Sequence, residues 1–401
     1  MTMREFVRKT IKTLVQGGFV VTVLPLLYLL DPFYKLRFCL IPNQRIGHQA
    51  ANTDTFLRHI KKHGVPPRTK YIFLIWAPAN QQLADMFKRE LTVWQSRLLV
   101  RLHYAVQNVI ERTRFMIIIK GDSHPYTHAA NTLPAVLSFT EHEQAHGSAV
   151  LRKMGIGPDD WFVCFHGRDL GYLNAWRPQY SHLFRRTEYR NSNDHDYMDA
   201  ARFIAEQGGY ALRMGAYTDE TFRDDHDRRI IDVSKTSRSD FMDIYLPGKC
   251  RFFIGTNSGY GFVPTLFNTP QGMVNMVPPC RIPAGPRDMF IPKLLHSVAE
   301  NRFLTFAEMH GLGFFRIGLN HEIPDICKSN GLEIVDNTPA QIVDLCRDLI
   351  DQDEGRTPTP EQGELQRLFY DRFLSSIDGF EVVGARLGAR FAEAHKDLIV
   401  N

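Results

Sequence analysis

Short apolar runs alternate with longer amphipathic stretches along most of this chain, the pattern of strands and helices layered in an α/β fold. In the first third, Lys35–Ile41, Tyr71–Trp76 and either Leu98–His103 or Phe115–Ile119 read as strands. The first is followed by a turn, Pro42-Asn43-Gln44-Arg45-Ile46-Gly47-His48, and then by a helix opening near Asn52, Thr53 or Asp54. Gln81–Glu90 and Phe139–Met154 read as helices, the second stopped by Gly155-Ile156-Gly157-Pro158. A second alternation starts at Trp161. Strands are expected at 161–165, 210–214, 229–233, 250–254 and 273–277, with helices at 191–207, 239–246, 341–351, 361–374 and 381–395. The expected division is 1–35 as an apolar segment, 36–155 and 156–375 as two α/β domains, and 376–401 as a C-terminal helix.

Arg4, Arg8, Lys9 and Lys12 precede the apolar run Leu14–Leu30, which is interrupted by Gln16, Gly17, Gly18 and Pro25. At about 17 residues this run is at the lower limit for crossing a bilayer. No small-x-small cleavage pattern follows it, since the next residues are Asp31-Pro32-Phe33. A segment that associates with a membrane, or packs on the domain, is expected at 14–30, with an uncleaved anchor as the competing expectation.

Composition adds three bounds. At 401 residues the chain exceeds a typical single core, in keeping with two domains. With 48 basic against 44 acidic residues, the net charge of +4 is too slight for general nucleic-acid binding. The six cysteines are scattered without CxxC spacing, as core thiols in a reducing, cytoplasmic compartment would be.

Three strand ends carry ligand-like residues: His166, Arg168 and Asp169; Arg213 and Gly215; and Gly255, Thr256, Asn257, Ser258 and Gly259. In a parallel sheet all three meet at one edge, where α/β folds bind ligands. A strand running into Gly-Thr-Asn-Ser-Gly and then a helix offers N–H groups and hydroxyls suited to phosphate, although a simple capping turn uses the same residues. With Arg168 and Arg213 opposite, the site could hold a diphosphate without a metal. The loop after Asp169 adds Arg177, Arg185, Arg186 and Arg190 beside Tyr172, Trp176 and Tyr180, groups able to hold an anionic, ring-bearing ligand.

Two competing patterns are present. His142-Glu143-Gln144-Ala145-His146 matches the HExxH helix of zinc hydrolases, but no Gly-x-x-His continuation follows and no Glu occurs before Glu188. Asp194-His195-Asp196 and Asp225-His226-Asp227 match a metal-holding Asp-x-Asp; a helix first turn and a charged loop explain them as well.

The runs FVCFHGRD, YRNS, LRMG, DIYLPGKCRFFIGTNSG and DMFIPKLL, with RIGHQAANTD near the N-terminus, resemble a family of bacterial glycosyltransferases of unsettled substrate. More distantly, the His-x-Arg strand end and the FIGTNSG turn are similar to those of GDP-fucose-using protein O-fucosyltransferases. The resemblance implies a GT-B-like architecture, two Rossmann-like domains facing a central cleft, with a nucleotide sugar in the C-terminal one. It implies that Arg168 binds the diphosphate and stabilises its departure, with His166 supporting the loop. Thr256, Ser258 and Gly259 would contact phosphate, Arg213 and Gly215 would line the nucleotide site, and Arg45, Gly47 and His48 would face the cleft. The implied activity is transfer of a sugar from a nucleoside-diphosphate sugar to a glycan, lipid-linked or other acceptor, inverting and metal-independent, with no cofactor. Bacterial surface-polysaccharide assembly at the inner face of the membrane is the implied setting. Fixed donors would stabilise charge developing on the leaving phosphate. A base must take the acceptor proton, and His48 and Asp169 are the candidates. A zinc hydrolase using His142, Glu143 and His146, and a non-catalytic nucleotide- or glycan-binding protein, are the alternatives.

Overall fold

The apolar runs become the strands of two parallel sheets. The computed structural model describes residues 3–119, 133–169, 171, 179, 185–216, 222–224, 226–279, 285–315, 322–375 and 384–401. They fall into two units, one of the described residues through 119 with Ala135–Ser138, the other chiefly Phe139–Asn401.

The first unit begins with α1 (Met3–Gly18), a π-helical turn at Phe19–Val23 and α2 (Leu24–Leu30). Strands β1 (Lys35–Leu40), β2 (Thr69–Ile75), β3 (Val93–Gln95) and β4 (Met116–Ile117) pair in the order β3-β2-β1-β4, all parallel. Helices α3 (Ile46–His63), α4 (Gln81–Glu90) and α5 (Arg97–Ile110) connect them. Two expectations are corrected. Leu98–His103 is helical, because Val100, His103, Val106 and Ile110 recur at helical spacing and Ser96 caps the start by accepting from the Leu99 N–H. Helix α3 starts at Ile46, so Gly47 and His48 occupy its first turn and Asn52, Thr53 and Asp54 are buried in its interior. Asp54 pairs there with Arg58 at 2.7 Å, both side chains fully buried.

The second unit opens with α6 (Glu141–Lys153), placed by the sequence in the first. Packing decides otherwise: Phe139 stacks on Phe267 at 4.8 Å and meets Tyr245 at 5.0 Å, and a Cβ on Gly147 would collide with the Tyr245 ring. Strands β5 (Phe162–His166), β6 (Tyr210–Arg213), β7 (Ile230–Asp232), β8 (Phe253–Gly255), β9 (Gln271–Met276) and β10 (Met289–Pro292) follow, with a three-stranded antiparallel sheet of β11 (Leu294–Ser297), β12 (Arg302–Phe303) and β13 (Leu332–Val335). The main sheet runs β14-β10-β9-β8-β5-β6-β7, all parallel. Counting β5 as the first strand, this is the Rossmann order 3-2-1-4-5-6 with one edge strand added. That edge, β14 (Arg386–Leu387), replaces the start of the expected helix at 381–395. Residues 381–383 lie outside the described residues, and helix Ala389–Ala394 begins only after Gly388, which has no room for a side chain against Ile291. Residues 384–401 thus complete the second unit's sheet and core rather than forming a separate element.

The core of this unit lies on the sheet. Ala200, Ala201, Ile204 and Ala205 of α7 (Met198–Glu206) and Ile342, Leu345, Cys346 and Leu349 of α8 (Pro339–Asp353) join Val163, Phe165, Ile254 and Val274 from the strands. The five cysteines among the described residues are buried free thiols.

Candidate functional site

In a sheet of this order the chain reverses direction between its first and fourth strands, here β5 and β8. The carboxyl ends of these strands diverge into loops on opposite sides, leaving a crevice. The two loops there are His166-Gly167-Arg168-Asp169 and Gly255-Thr256-Asn257-Ser258-Gly259, with His166 paired in register to Gly255. A hydrogen bond spans the crevice: the Arg168 N–H donates to Thr256 Oγ1 at 3.2 Å, and Thr256 is fully buried. Ser192 N–H donates to the Arg168 carbonyl at 3.0 Å. Arg190 closes the other side, donating to the carbonyl (2.7 Å) and Oδ1 (3.0 Å) of Asn257. The first and third expected strand ends are therefore brought together and tied to the segment 185–193.

A cavity of about 430 Å³ adjoins the first of these loops at Asp169 and is lined further by Glu188, Asn191, Ser192, Lys293 and Asp336. Asp169 reaches it from the β5 end, while its Oδ1 accepts from the Gly171 N–H at 2.9 Å. Lys293 follows Pro292 at the end of β10; its ammonium donates to the Asn191 carbonyl at 2.8 Å and to Asp336 Oδ1 at 2.6 Å. Burial holds the Lys293 pKa below its ordinary value, against the pull of Asp336. Burial likewise raises Asp196, with Asp336 adding repulsion. Beneath the cavity, Asn275 Nδ2 donates to Ser192 Oγ at 2.9 Å, and Asn275 and Asn337 exchange N–H to Oδ1 bonds at 2.6 Å each. Asn275 takes a φ of 55°, a left-handed turn inside β9 that aims its amide into this network. A fully bonded polar network under a cavity fixes its shape.

The individual expectations fare differently. Arg168 is buried, and its guanidinium donates to the carbonyl and Oγ1 of Thr187, both at 3.0 Å, and to Asn191 Oδ1, so it orders the cavity wall. His166 contacts the Met214 carbonyl through Nδ1 at 3.2 Å and lies edge-on to Tyr260 at 5.0 Å. Since a carbonyl only accepts, Nδ1 carries the proton, and burial lowers the ring's pKa, so the neutral form is favoured. Ser258 Oγ is buried and has no hydrogen-bond partner among the described residues, a hydroxyl suited to a ligand. Gly259 opens the one-turn helix Gly259–Gly261, and Gly255 is tight because a Cβ there would press on the Phe253 ring.

Arg213 is not a free wall of the nucleotide site. It is 2% exposed and held between Asp194 and Asp232, its Nη1 at 3.2 Å from Asp232. Two carboxylates compensate its charge, which makes it a structural clamp beside Gly215. The same contact removes Asp194 from a metal-holding Asp-x-Asp. Asp227 accepts from the Arg229 N–H at 2.8 Å, and Asp225 lies outside the described residues. Tyr172, Trp176, Arg177 and Tyr180 also lie outside them. The helix expected at 191–207 is corrected: a 3₁₀ turn, Asp194–Tyr197, precedes α7, and Asn193 caps it by accepting from the His195 N–H, so Asn191 and Ser192 lie before the helical segment and line the cavity.

The HExxH reading fails on Glu143. Its carboxylate accepts from the Thr140 N–H at 2.8 Å in a capping box that starts α6, and the His146 ring rests on Phe241 at 4.8 Å. Among the described residues no three His, Cys, Asp or Glu side chains gather as a metal site. In the first unit, Arg45 is the residue before α3, and His48 is exposed in its first turn. Local desolvation, then the Arg45 charge, lowers the His48 pKa.

Lys293, Asp336 and Glu188 were not expected at the site, and Asn191 and Ser192 were expected only as candidate helix caps. Lys293 stands in DMFIPKLL, and Asn191 and Ser192 in YRNS, so the runs carrying the resemblance contain them.

No protein-family model matches the chain, and no curated protein matches it significantly. Among solved structures it is similar to a glycosyl transferase family 9 protein from Veillonella parvula DSM 2008, at 9% identity over 74% of this chain and 97% of that one, TM-score 0.40. It is also similar to the E. coli ADP-heptose lps heptosyltransferase II, at 11% identity over 80% and 100% of the two chains, TM-score 0.48. The E. coli heptosyltransferase WaaC with ADP gives 8% identity over 64% and 91%, TM-score 0.32. Similarities this distant assign no activity, and the functional reading below rests on the chain's own geometry.

Proposed function

We propose that this chain is a glycosyltransferase that binds a nucleoside-diphosphate sugar at the carboxyl edge of the second unit's sheet. The observation that carries the reading is the switch point between β5 and β8, flanked by the 166–169 and 255–259 loops, with the cavity opening beside Asp169 of the first. A nucleotide sugar is anionic at one end and rich in hydroxyls at the other. The Lys293 ammonium in the cavity suits the diphosphate, and the Ser258 hydroxyl on the neighbouring 255–259 loop offers a second donor. The carboxylates of Asp169, Glu188 and Asp336 suit sugar or acceptor hydroxyls. Arg168 acts through Asn191 and Thr187, setting the cavity wall.

In an inverting transfer the acceptor hydroxyl gives its proton to a base and its oxygen bonds to the anomeric carbon. The bond from that carbon to the phosphate oxygen breaks, and the diphosphate leaves with the electron pair. Asp169 is the base favoured here, since its carboxylate lines the cavity while His48 belongs to the other unit. The chemistry requires only an acceptor hydroxyl, and a glycan, lipid-linked or other acceptor would supply it.

A thermal-shift screen against ADP, UDP, GDP, CDP and TDP, followed by calorimetry, tests the reading. One nucleotide should stabilise the chain, and Lys293→Met should weaken its binding at least about tenfold. No response to any nucleotide, or unchanged affinity in Lys293→Met, would overturn it.

A further inference from the structure

The first unit carries an apolar surface that its fold leaves uncovered. The helical run Glu5–Leu30 is long and apolar enough to cross a membrane, yet it is largely unburied. Leu14, Val21, Leu26 and Leu29 are among its exposed side chains, Val21 at 75% and Leu29 at 72%. The opposite side is packed. Val15, Phe19, Leu24 and Leu27 lie against Val106, Ile110 and Phe115, Gln16 Nε2 donates to the Ala105 carbonyl at 2.8 Å, and Tyr28 meets Phe115 edge-on at 4.8 Å.

Helix α5, on which this run rests, is itself two-faced. Leu98, Leu102, Ala105 and Val109 follow one another at steps of four, three and four, forming one stripe along the helix. The N-terminal run reaches this stripe at Ala105, and beyond that point Leu98 (65% exposed) and Leu102 (41%) continue it uncovered. Trp94, just before the helix, is exposed as well. The charges beside this surface are mainly basic. Lys9 and Lys12 are exposed on the run, whose one acid is Glu5; Arg97 and Arg101 are exposed on α5, which has no acid.

We propose that the N-terminal run and α5 together form a monotopic anchor lying flat in an anionic lipid surface. Exposed leucines would enter the acyl boundary, and Lys9, Lys12, Arg97 and Arg101 would meet lipid phosphates. Packing argues against a span. Val15 to Tyr28, about 20 Å of helix at 1.5 Å per residue, is fixed along the unit's own side chains. The unpacked part of the run, Met3–Leu14, contains Lys9 and Lys12, charges that a hydrocarbon core disfavours. The anchor rests on the first unit alone, so it stands or falls separately from the nucleotide-sugar reading.

Flotation of the full chain with vesicles tests it, using phosphatidylcholine alone or mixed with phosphatidylglycerol. Binding should favour the mixed vesicles by about tenfold, and Leu98→Glu/Leu102→Glu should lower it by about as much. Both side chains are exposed, so the variant should keep the wild-type thermal midpoint. Undiminished binding by this variant would remove α5 from the anchor. An N-terminal tag on protein bound outside sealed vesicles should stay open to added protease. A protected tag would mean a span and overturn the flat arrangement. A chain that ignores both vesicle types, or that buries this face in a stable dimer, would overturn the proposal outright.

Discussion

Replacing Arg213 with Met separates a structural clamp from a ligand contact. The guanidinium is 3% exposed, with Nη1 at 3.2 Å from Asp232 and Nη2 bonded to Asp194. Methionine keeps most of the length and removes the charge. Asp232, 4% exposed, would retain the Phe222 N–H at 2.9 Å and the Ser234 hydroxyl at 2.5 Å, but would lose its counter-charge. Asp194, at 18%, can recover some hydration. Breaking a buried pair by removing one partner costs about 3–5 kcal/mol, and most of that loss should come from Asp232. Urea unfolding followed by far-UV circular dichroism measures it, read on the second unit's transition because a two-unit chain need not unfold in one step. A cycle with Asp194→Asn should show coupling of ~1–3 kcal/mol, as expected for residues in direct contact. Nucleotide affinity, measured where both proteins are folded, should fall much less than in Lys293→Met. A loss below ~1 kcal/mol together with abolished nucleotide binding would refute the clamp and make Arg213 a ligand contact.

Gly167→Ala should act on the same clamp from the other side, because a Cβ there would overlap the Asp194 carboxylate. A loss of ~1–3 kcal/mol is expected in the same unfolding assay, and a wild-type midpoint would count against the packing described. Ser258→Ala should leave stability unchanged or raise it slightly, since the hydroxyl has no partner among the described residues, while calorimetry should record weaker nucleotide binding. Lower stability with intact affinity would reverse that assignment. Asp288 supplies a pH test: burial pushes its carboxyl up to about 7, although the Gln271 and Gly285 N–H groups oppose this. A raised carboxyl pKa stabilises the fold fully below about pH 4, and the contribution is lost as pH rises to about 7. Wild type should therefore lose ground to Asp288→Asn between about pH 4.5 and 7.5, by up to ~4 kcal/mol. A pH-independent gap between the two proteins would contradict it.

The sequence showed best what depends on local apolar pattern. The helix Gln81–Glu90 was read to the residue, and the five strands expected after Trp161 are all present within a few residues. Its failures have identifiable causes. Leu98–His103 is too short an apolar run to separate strand from helix, and only the recurrence out to Ile110 decides. Asn52, Thr53 and Asp54 look like a helix start because such residues usually cap, whereas here they are buried inside α3, Asp54 against Arg58. Strand β14 and Gly388 were hidden in what read as one amphipathic helix, since a two-residue edge strand has no periodicity of its own.

The site divides along the same line. The two loops at the switch point were legible because each is a polar cluster closing an apolar run, and parallel pairing then makes neighbours of β5 and β8. The partners of each charge were not legible. Arg168 and Arg213 are alike in sequence, both near a strand's carboxyl end. Arg213 is neutralised by carboxylates from two other elements, whereas Arg168 is held by the neutral acceptors of Thr187 and Asn191. Lys293 is the converse. It follows a proline in an apolar run and would pass for a strand terminus, yet β10 brings it to a cavity whose other walls come from residues 169, 188–193 and 334–336. A cation's function depends on whether its counter-ions are protein carboxylates or a ligand, and that balance is set by residues far away in sequence. Arg213 has both of its carboxylates within the chain. Lys293 shares a single carboxylate, Asp336, whose side chain is 38% exposed, and so has the better claim to an incoming phosphate.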